Sequence, residues 1–203
     1  MKTIRFISVV SCFAAMCLTS CIDGDNDNQA LTPTEVTQCF NTVKGVHDGM
    51  LIYGAENIKD VSDKADTLDI TWEVTTDSTM VIREFPTRLL ANSVDSVKGK
   101  SLKEALMAAP DQDINCYIGF IKRSPVQFLL NPITPTYNLE VDGGTHKIQV
   151  AFYVNNTYSF GNFDLSSREF YIQLIEARIF MDEKETSYLT ADTPFVLLKK
   201  GTK

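Results

Sequence analysis

Three aspartates at alternate positions, Asp23, Asp25 and Asp27, have a spacing that suggests metal chemistry. Carboxylates at positions one, three and five of a twelve-residue loop bind calcium when glycine stands at position six and glutamate at position twelve. Counted from Asp23, those two positions hold Asn28 and Thr34. We therefore predict no calcium site here, and no metal or other cofactor for the chain.

Nucleophiles and general bases are scarce in this sequence. It has five cysteines and two histidines, and none of the patterns Gly-x-Ser-x-Gly, Cys-x-x-Cys or His-Glu-x-x-His occurs in it. We therefore predict no catalytic residue and favour a protein that is not an enzyme. The alternative is a hydrolase or redox enzyme that uses unrecognised carboxylates, or Cys39 as nucleophile with His47 as its base.

Residues 1–20 have the organisation of a secretory signal peptide. Lys2 and Arg5 form its positive start, and residues 6–18 carry no charge. This apolar run is too short to span a bilayer as a helix. The sequence LTSC that ends at Cys21 resembles the lipobox of bacterial lipoproteins. The resemblance implies that Cys21 becomes the first mature residue and carries the lipid that attaches the protein to a membrane.

The charge balance limits the classes of partner. Loss of the two basic residues of the signal peptide would reduce the 19 Lys and Arg to 17 against 26 Asp and Glu, a net charge of −9. Nucleic acids and anionic lipid headgroups repel so acidic a protein. We therefore predict no nucleic-acid partner, and membrane attachment through the lipid on Cys21 alone.

Two cysteines remain once the signal peptide is removed and Cys21 is lipidated. Cys39 and Cys116 could pair in an oxidising compartment, which would close a long loop. Alternatively both are small buried apolar residues, because Cys39 shares a helical face with Phe40 and Val43, and Cys116 stands in an alternating strand pattern. Both alternatives stay open at this point.

The chain begins with a tether and a helix. Residues 21–30 are polar and acidic without periodicity, which is typical of a spacer. Thr32, Pro33 and Glu35 then form a helix start with a capping box, and Gly45 ends the apolar helical pattern. The folded region is therefore predicted to be a single domain, residues 31–203.

After this helix the apolar residues mostly alternate with period two. Two hairpins are predicted, one around residues 76–78 and one around the Asp142-Gly143-Gly144 turn. The alternation slips between Leu174 and Ala177, which indicates a bulge or a bend in the strand. Between residues 87 and 109 the pattern is helical: Leu90, Val94 and Val97 share an apolar face, and Ser101 and Glu104 form a second capping box. With this short helical insert, the pattern predicts a mainly β fold: an antiparallel β-sandwich or a calycin-like barrel, with α+β as the alternative.

An aromatic stretch near residue 160 is the one candidate ligand-binding surface in the sequence. Tyr158, Phe160 and Phe163 alternate with turn residues, and exposed aromatic rings stack on sugars or anchor partners. The alternative is that these rings close an open end of the fold, because large aromatic side chains are usually packed.

As a whole the sequence resembles the small Bacteroides-type (Bacteroidota) lipoproteins grouped as domains of unknown function. Asp23, Asp25 and Asp27 resemble the acidic signal that sends such lipoproteins to the cell surface. The resemblance implies an outer-membrane lipoprotein, exposed at the surface, whose β domain binds a glycan, a peptide or a small apolar ligand without catalysis. A structural subunit of an envelope complex, held by a protein partner, remains the other non-enzymatic alternative.

Overall fold

A computed structural model of the chain describes residues 30–54, 65–154 and 158–201. The predicted signal peptide, nearly all of the tether and the lipidation site Cys21 lie outside the described residues, so these expectations stay predictions. No helix in the described part of the chain is long and apolar enough to cross a membrane.

The first helix, α1 (Pro33–Val43), begins as the sequence predicts. The backbone N–H of Thr32 donates to Glu35 Oε2 at 2.9 Å, and the backbone N–H of Glu35 donates to Thr32 Oγ1 at 3.4 Å. These two bonds complete the capping box and satisfy donors that the first helical turn leaves free. The buried face of α1, which includes Cys39 and Val43, packs against the fourth strand.

Strands make up most of the remaining described chain. A 3-10 helix (Thr87–Ala91) and α2 (Lys100–Ala108) form the helical insert. The strands are β1 (Gly45–Gly54), β2 (Ala65–Val74), β3 (Thr79–Phe85), β4 (Gln112–Arg123), β5 (Val126–Pro132), β6 (Thr136–Val141), β7 (Gly144–Phe152), β8 (Phe160–Phe163), β9 (Phe170–Met181), β10 (Lys184–Glu185) and β11 (Thr193–Lys199).

Eight of these strands close into an antiparallel barrel. Their order is β1-β2-β3-β4-β5-β8-β9-β11, and β11 returns to pair with β1. The second half of β9 continues past the barrel, where it pairs with β7 and β10, and β6 pairs with β7. The mainly β prediction is confirmed, and closure selects a barrel consistent with the calycin-like alternative over the sandwich.

The predicted bulge in β9 is also confirmed. Glu176 pairs with Phe152 of β7 and Arg178 pairs with Ala151, so Ala177 is an additional residue on β9 without a counterpart. The bulge lies where β9 leaves the barrel. It bends the strand from its pairing with β8 and β11 toward β7.

Large side chains fill the barrel. Trp72 stacks on His47, its neighbour across β1 and β2, with ring centroids 5.8 Å apart, and Phe170 packs edge-on against both rings. A Cβ on Gly49 would lie 2.6 Å from the Leu198 carbonyl oxygen and 2.8 Å from the Trp72 indole, so only glycine fits there. Other large side chains that are fully buried include Phe85, Phe128 and Phe195.

The helical insert differs from the prediction in two places. Gly99, not Ser101, caps α2, and Ser101 Oγ instead accepts a hydrogen bond from the Asp142 backbone N–H at 2.8 Å. Val97, expected on an apolar helical face, is 84% exposed. The chain turns there because Asp95 Oδ1 accepts hydrogen bonds from the backbone N–H groups of Val97 and Lys98, which competes with a helix.

Candidate functional site

An open groove lies where β3 separates from β2. All ten residues of β2 pair with β1, but only residues 71–74 pair with β3. β3 instead continues to pair with β4. The β3–β4 register shifts after Ile82, and the pairing resumes at Phe85 and Gln112. Among the strands of the described chain, residues 65–70 of β2 therefore have a partner on one edge only.

A bulge at Glu84 causes this separation. Glu84 has φ 45°, a backbone conformation that residues other than glycine rarely adopt. The alternation of buried and exposed residues is also broken here, because Arg83 and Glu84 are both exposed and Phe85 is fully buried. The Glu84 backbone N–H donates to Asp113 Oδ1 at 2.9 Å, and this bond holds the bulged part of β3 against β4 rather than against β2. Pro86 follows and ends the strand.

The groove has a volume of about 780 Å³ and is open to solvent. Residues 48–50 of β1 and 68–71 of β2 form one side, and Arg83, Glu84, Pro86 and Asp111 form the other. This volume is in the range of sites that bind small molecules or short chain segments.

The groove is acidic. Among the described residues that line it, Arg83 is the only basic one, and its side chain is bonded to Glu73 at 2.7 Å and to Asp113 at 2.8 Å. Those two side-chain hydrogen bonds raise the pKa of the Arg83 guanidinium, and the two carboxylates balance its positive charge. Four exposed carboxylates line the groove: Asp48, Asp69, Glu84 and Asp111.

Two of these carboxylates are held by neighbours. Asp48 Oδ1 accepts a hydrogen bond from Thr71 Oγ1 at 2.8 Å, and Asp111 Oδ1 accepts one from the Thr87 backbone N–H at 3.2 Å. The acidic lining is thus fixed by β1–β2 pairing on one side and by the start of the 3-10 helix on the other. Such an arrangement attracts cationic groups without needing to reorganise.

The sequence did not single out the groove. The available signal was the pair Arg83-Glu84, which interrupts the alternation of β3 just before Pro86 and so marks a bulge. The four lining carboxylates come from separate segments of the chain, and no local spacing brings them together.

The aromatic residues predicted to bind ligand are divided between two faces of β8. Phe160 packs against Tyr171, with ring centroids 5.6 Å apart, whereas Phe163 lies on the opposite face and packs edge-on against Phe170 of the core. Tyr158 precedes the strand, is 53% exposed and packs against Tyr153. Ligand binding by Tyr158, Phe160 and Phe163 stays a prediction.

Cys39 and Cys116 are both buried free thiols in the structure. Cys39 Sγ lies 3.8 Å from the Lys122 carbonyl oxygen, and Cys116 stands six residues before Lys122 on β4, about 20 Å away along an extended strand. The proposed disulfide between them is therefore not formed. The alternative, that both are small buried residues, describes their positions.

The other candidate chemical groups are occupied or enclosed. His47 Nε2 lies 2.8 Å from the Val43 carbonyl oxygen, and burial lowers the pKa of His47 while it raises that of Cys39. Glu176 is fully buried, and burial raises its pKa to about 8. No cluster of three or more His, Cys, Asp or Glu side chains in the described ranges could hold a metal ion.

Comparison with known proteins gives a family but no activity. Residues 42–181, over two thirds of the chain, match the family model described as Domain of unknown function (DUF4840). No curated protein and no solved structure matches the chain. The match runs from the end of α1 to the end of β9 and includes every strand that lines the groove. The chain therefore belongs to the DUF4840 family of domains of unknown function.

Proposed function

We propose that this protein is a lipid-anchored binding module of the cell envelope, displayed on the outer membrane, which holds its ligand in the groove between β2 and β3. The lipobox-like sequence at Cys21 and the acidic tether support the location. The groove supports the binding role, because it combines a cavity, a β2 edge that has no partner among the described strands, and a fixed set of charges. No catalytic step is part of the proposal.

The filled barrel supports placing the ligand on the outside. Trp72, Phe85 and Phe128 are among the large side chains that occupy the interior, and each is fully buried. Because protein interiors are close-packed, a small apolar ligand could enter only by displacing such residues. The groove requires no displacement.

Labelling of intact cells tests the location. A membrane-impermeant amine reagent should modify Lys199 and Lys200, and a Cys21→Ser variant should appear in the soluble fraction instead of the membrane fraction. Complete protection of both lysines in intact cells, with labelling restored after lysis, would contradict surface display. An unchanged membrane fraction for the Cys21→Ser variant would contradict the anchor.

A thermal-shift panel tests the binding role. Extended peptides, oligosaccharides and a fatty acid, the three ligand classes open from the sequence, are each added to the lipid-free Cys21→Ser chain. We expect one class to raise the melting temperature, and we expect Asp69→Lys in the groove to abolish that rise. Glu183→Lys, an exposed charge reversal outside the groove, is the matched control. A panel in which no class binds, or in which Asp69→Lys has no effect, refutes the proposal.

A further inference from the structure

We infer that the groove takes an extended peptide segment with alternating basic and aliphatic residues, which pairs with residues 65–70 of β2 as an additional antiparallel or parallel strand. The inference rests on the proposed function, because it names the ligand class of the same groove. The occupant is a segment of another protein, and the chain contributes the strand edge and the charges.

The backbone of β2 provides the first reason. An edge strand presents a row of N–H and C=O groups that can pair with an incoming strand, and proteins use such edges to bind extended peptides. Six residues at about 3.3 Å each give a free edge of about 20 Å. Glu84 and Pro86 line the same groove of about 780 Å³ as Leu68, Asp69 and Ile70 of β2.

The charge of the groove provides the second reason and limits the occupant. Among the described residues, four exposed carboxylates line the groove beside this edge, and the one arginine that lines it is already bonded to two other carboxylates. A second copy of this chain would bring the same carboxylates to the edge, and the acidic residues 23–27 of its own tether would also be repelled. Charge complementarity therefore selects a basic segment from a different protein.

The two faces of β2 specify the alternation. Asp69 pairs directly with Met50, and paired residues lie on the same face of the sheet. Asp48 is two residues from Met50 on β1, so Asp48 and Asp69 both lie on the outer face. Leu68 and Ile70 lie on the other face, where Ile70 is buried. The side chains of a peptide paired with β2 would alternate between the same two faces. A basic peptide side chain would therefore lie beside Asp69, and aliphatic peptide side chains would lie beside Leu68 and Ile70.

Fluorescence anisotropy with a labelled nine-residue peptide of alternating Lys and Val tests the inference on the lipid-free Cys21→Ser chain. Two matched peptides are needed: one with Glu in place of Lys, and one with N-methyl groups on alternate backbone nitrogens. The first keeps the backbone and reverses the charge, and the second keeps the charge and removes the N–H groups that a strand must donate. We expect each change to weaken binding at least tenfold.

Protein variants locate the site. Asp69→Lys should weaken binding of the Lys-Val peptide at least tenfold, whereas Glu183→Lys should leave it within twofold. Circular dichroism confirms that each variant is folded, and the two peptide controls decide the question even if a variant is not. Because the attraction is partly electrostatic, affinity should fall between 50 and 150 mM salt.

The outcomes separate this inference from the proposed function. Equal affinity for the N-methylated peptide would overturn strand pairing, and equal loss with Glu183→Lys would overturn the location. If an oligosaccharide binds in an Asp69-dependent manner and the Lys-Val peptide does not, the inference fails while the proposed function stands. If no ligand of any class binds, both fail.

Discussion

Replacement of Glu176 by glutamine should abolish a pH dependence that is built into the barrel. Glu176 lies at the bulge in β9 with a side chain that is fully buried. Its Oε2 accepts a hydrogen bond from Ser93 Oγ at 3.2 Å, and Oε1 has no hydrogen-bond partner among the described residues. Desolvation by burial raises its pKa from 4.5 to about 8, opposed by the Ser93 hydrogen bond and assisted by Asp192. Glu176 also interacts electrostatically with Tyr137, whose pKa is raised mainly by burial.

The sign and the magnitude follow from the two pKa values. Since the native pKa lies above the unfolded one, folding takes up a proton between pH 4.5 and 8, and the free energy of unfolding decreases as the pH rises through that range. Well below pH 4.5 the carboxyl is neutral in both states and contributes no penalty. At 1.36 kcal/mol for each pH unit, the loss between pH 5 and pH 8 is about 4 kcal/mol.

Urea unfolding of the wild-type and Glu176→Gln chains at pH 5, 6, 7 and 8 measures this difference. Glutamine has nearly the same shape and does not titrate, so any packing cost of the amide is the same at every pH. The stability of the variant relative to wild type should increase by about 4 kcal/mol from pH 5 to pH 8. Glu183→Gln, with a side chain 79% exposed, serves as the control and should show a constant difference. A constant difference for Glu176→Gln would show that the Glu176 carboxyl does not take up a proton on folding.

Two further predictions concern packing and the thiols. A Cβ at Gly161 would overlap the Phe128 ring, whereas one at Gly119 would meet no atom within 4 Å, so Gly161→Ala should reduce the free energy of unfolding by about 1–3 kcal/mol and Gly119→Ala by much less. Equal losses in urea unfolding would contradict this account. Cys39 and Cys116 should both be alkylated by iodoacetamide in urea without prior reduction, and neither should react in the native state. A mass that changes on reduction would show a disulfide.

Local signals in the sequence account for much of the fold. The capping box at Thr32, the turn at Asp142-Gly143 and the slip before Ala177 each depend on residues close together in the chain, and each is present in the structure. Barrel closure is different, because β9 and β11 pair with partners that no local pattern specifies. Inward alternation looks the same in a sandwich and in a barrel, so the sequence left both open.

β8 shows a second limit of sequence patterns. Its four residues include Gly161 and Asn162, which weaken a strand pattern, and its aromatic ends suggested a displayed surface. In the structure Gly161 makes room for Phe128, and Asn162 Oδ1 accepts a hydrogen bond from Gln127 Nε2 at 3.1 Å. Tertiary packing, rather than local propensity, makes this segment a strand.

The groove is a consequence of how the core is packed. Phe85 is fully buried and packs edge-on against Phe195 of β11, with ring centroids 5.2 Å apart. To place that ring, β3 takes up an additional residue at Glu84 and follows β4, which leaves the edge of β2 uncovered. The groove is therefore open as a result of core packing, and the binding proposed above would require no conformational change. A site that is already formed avoids part of the ordering cost of binding, which favours recognition by a rigid strand edge over an adaptable loop.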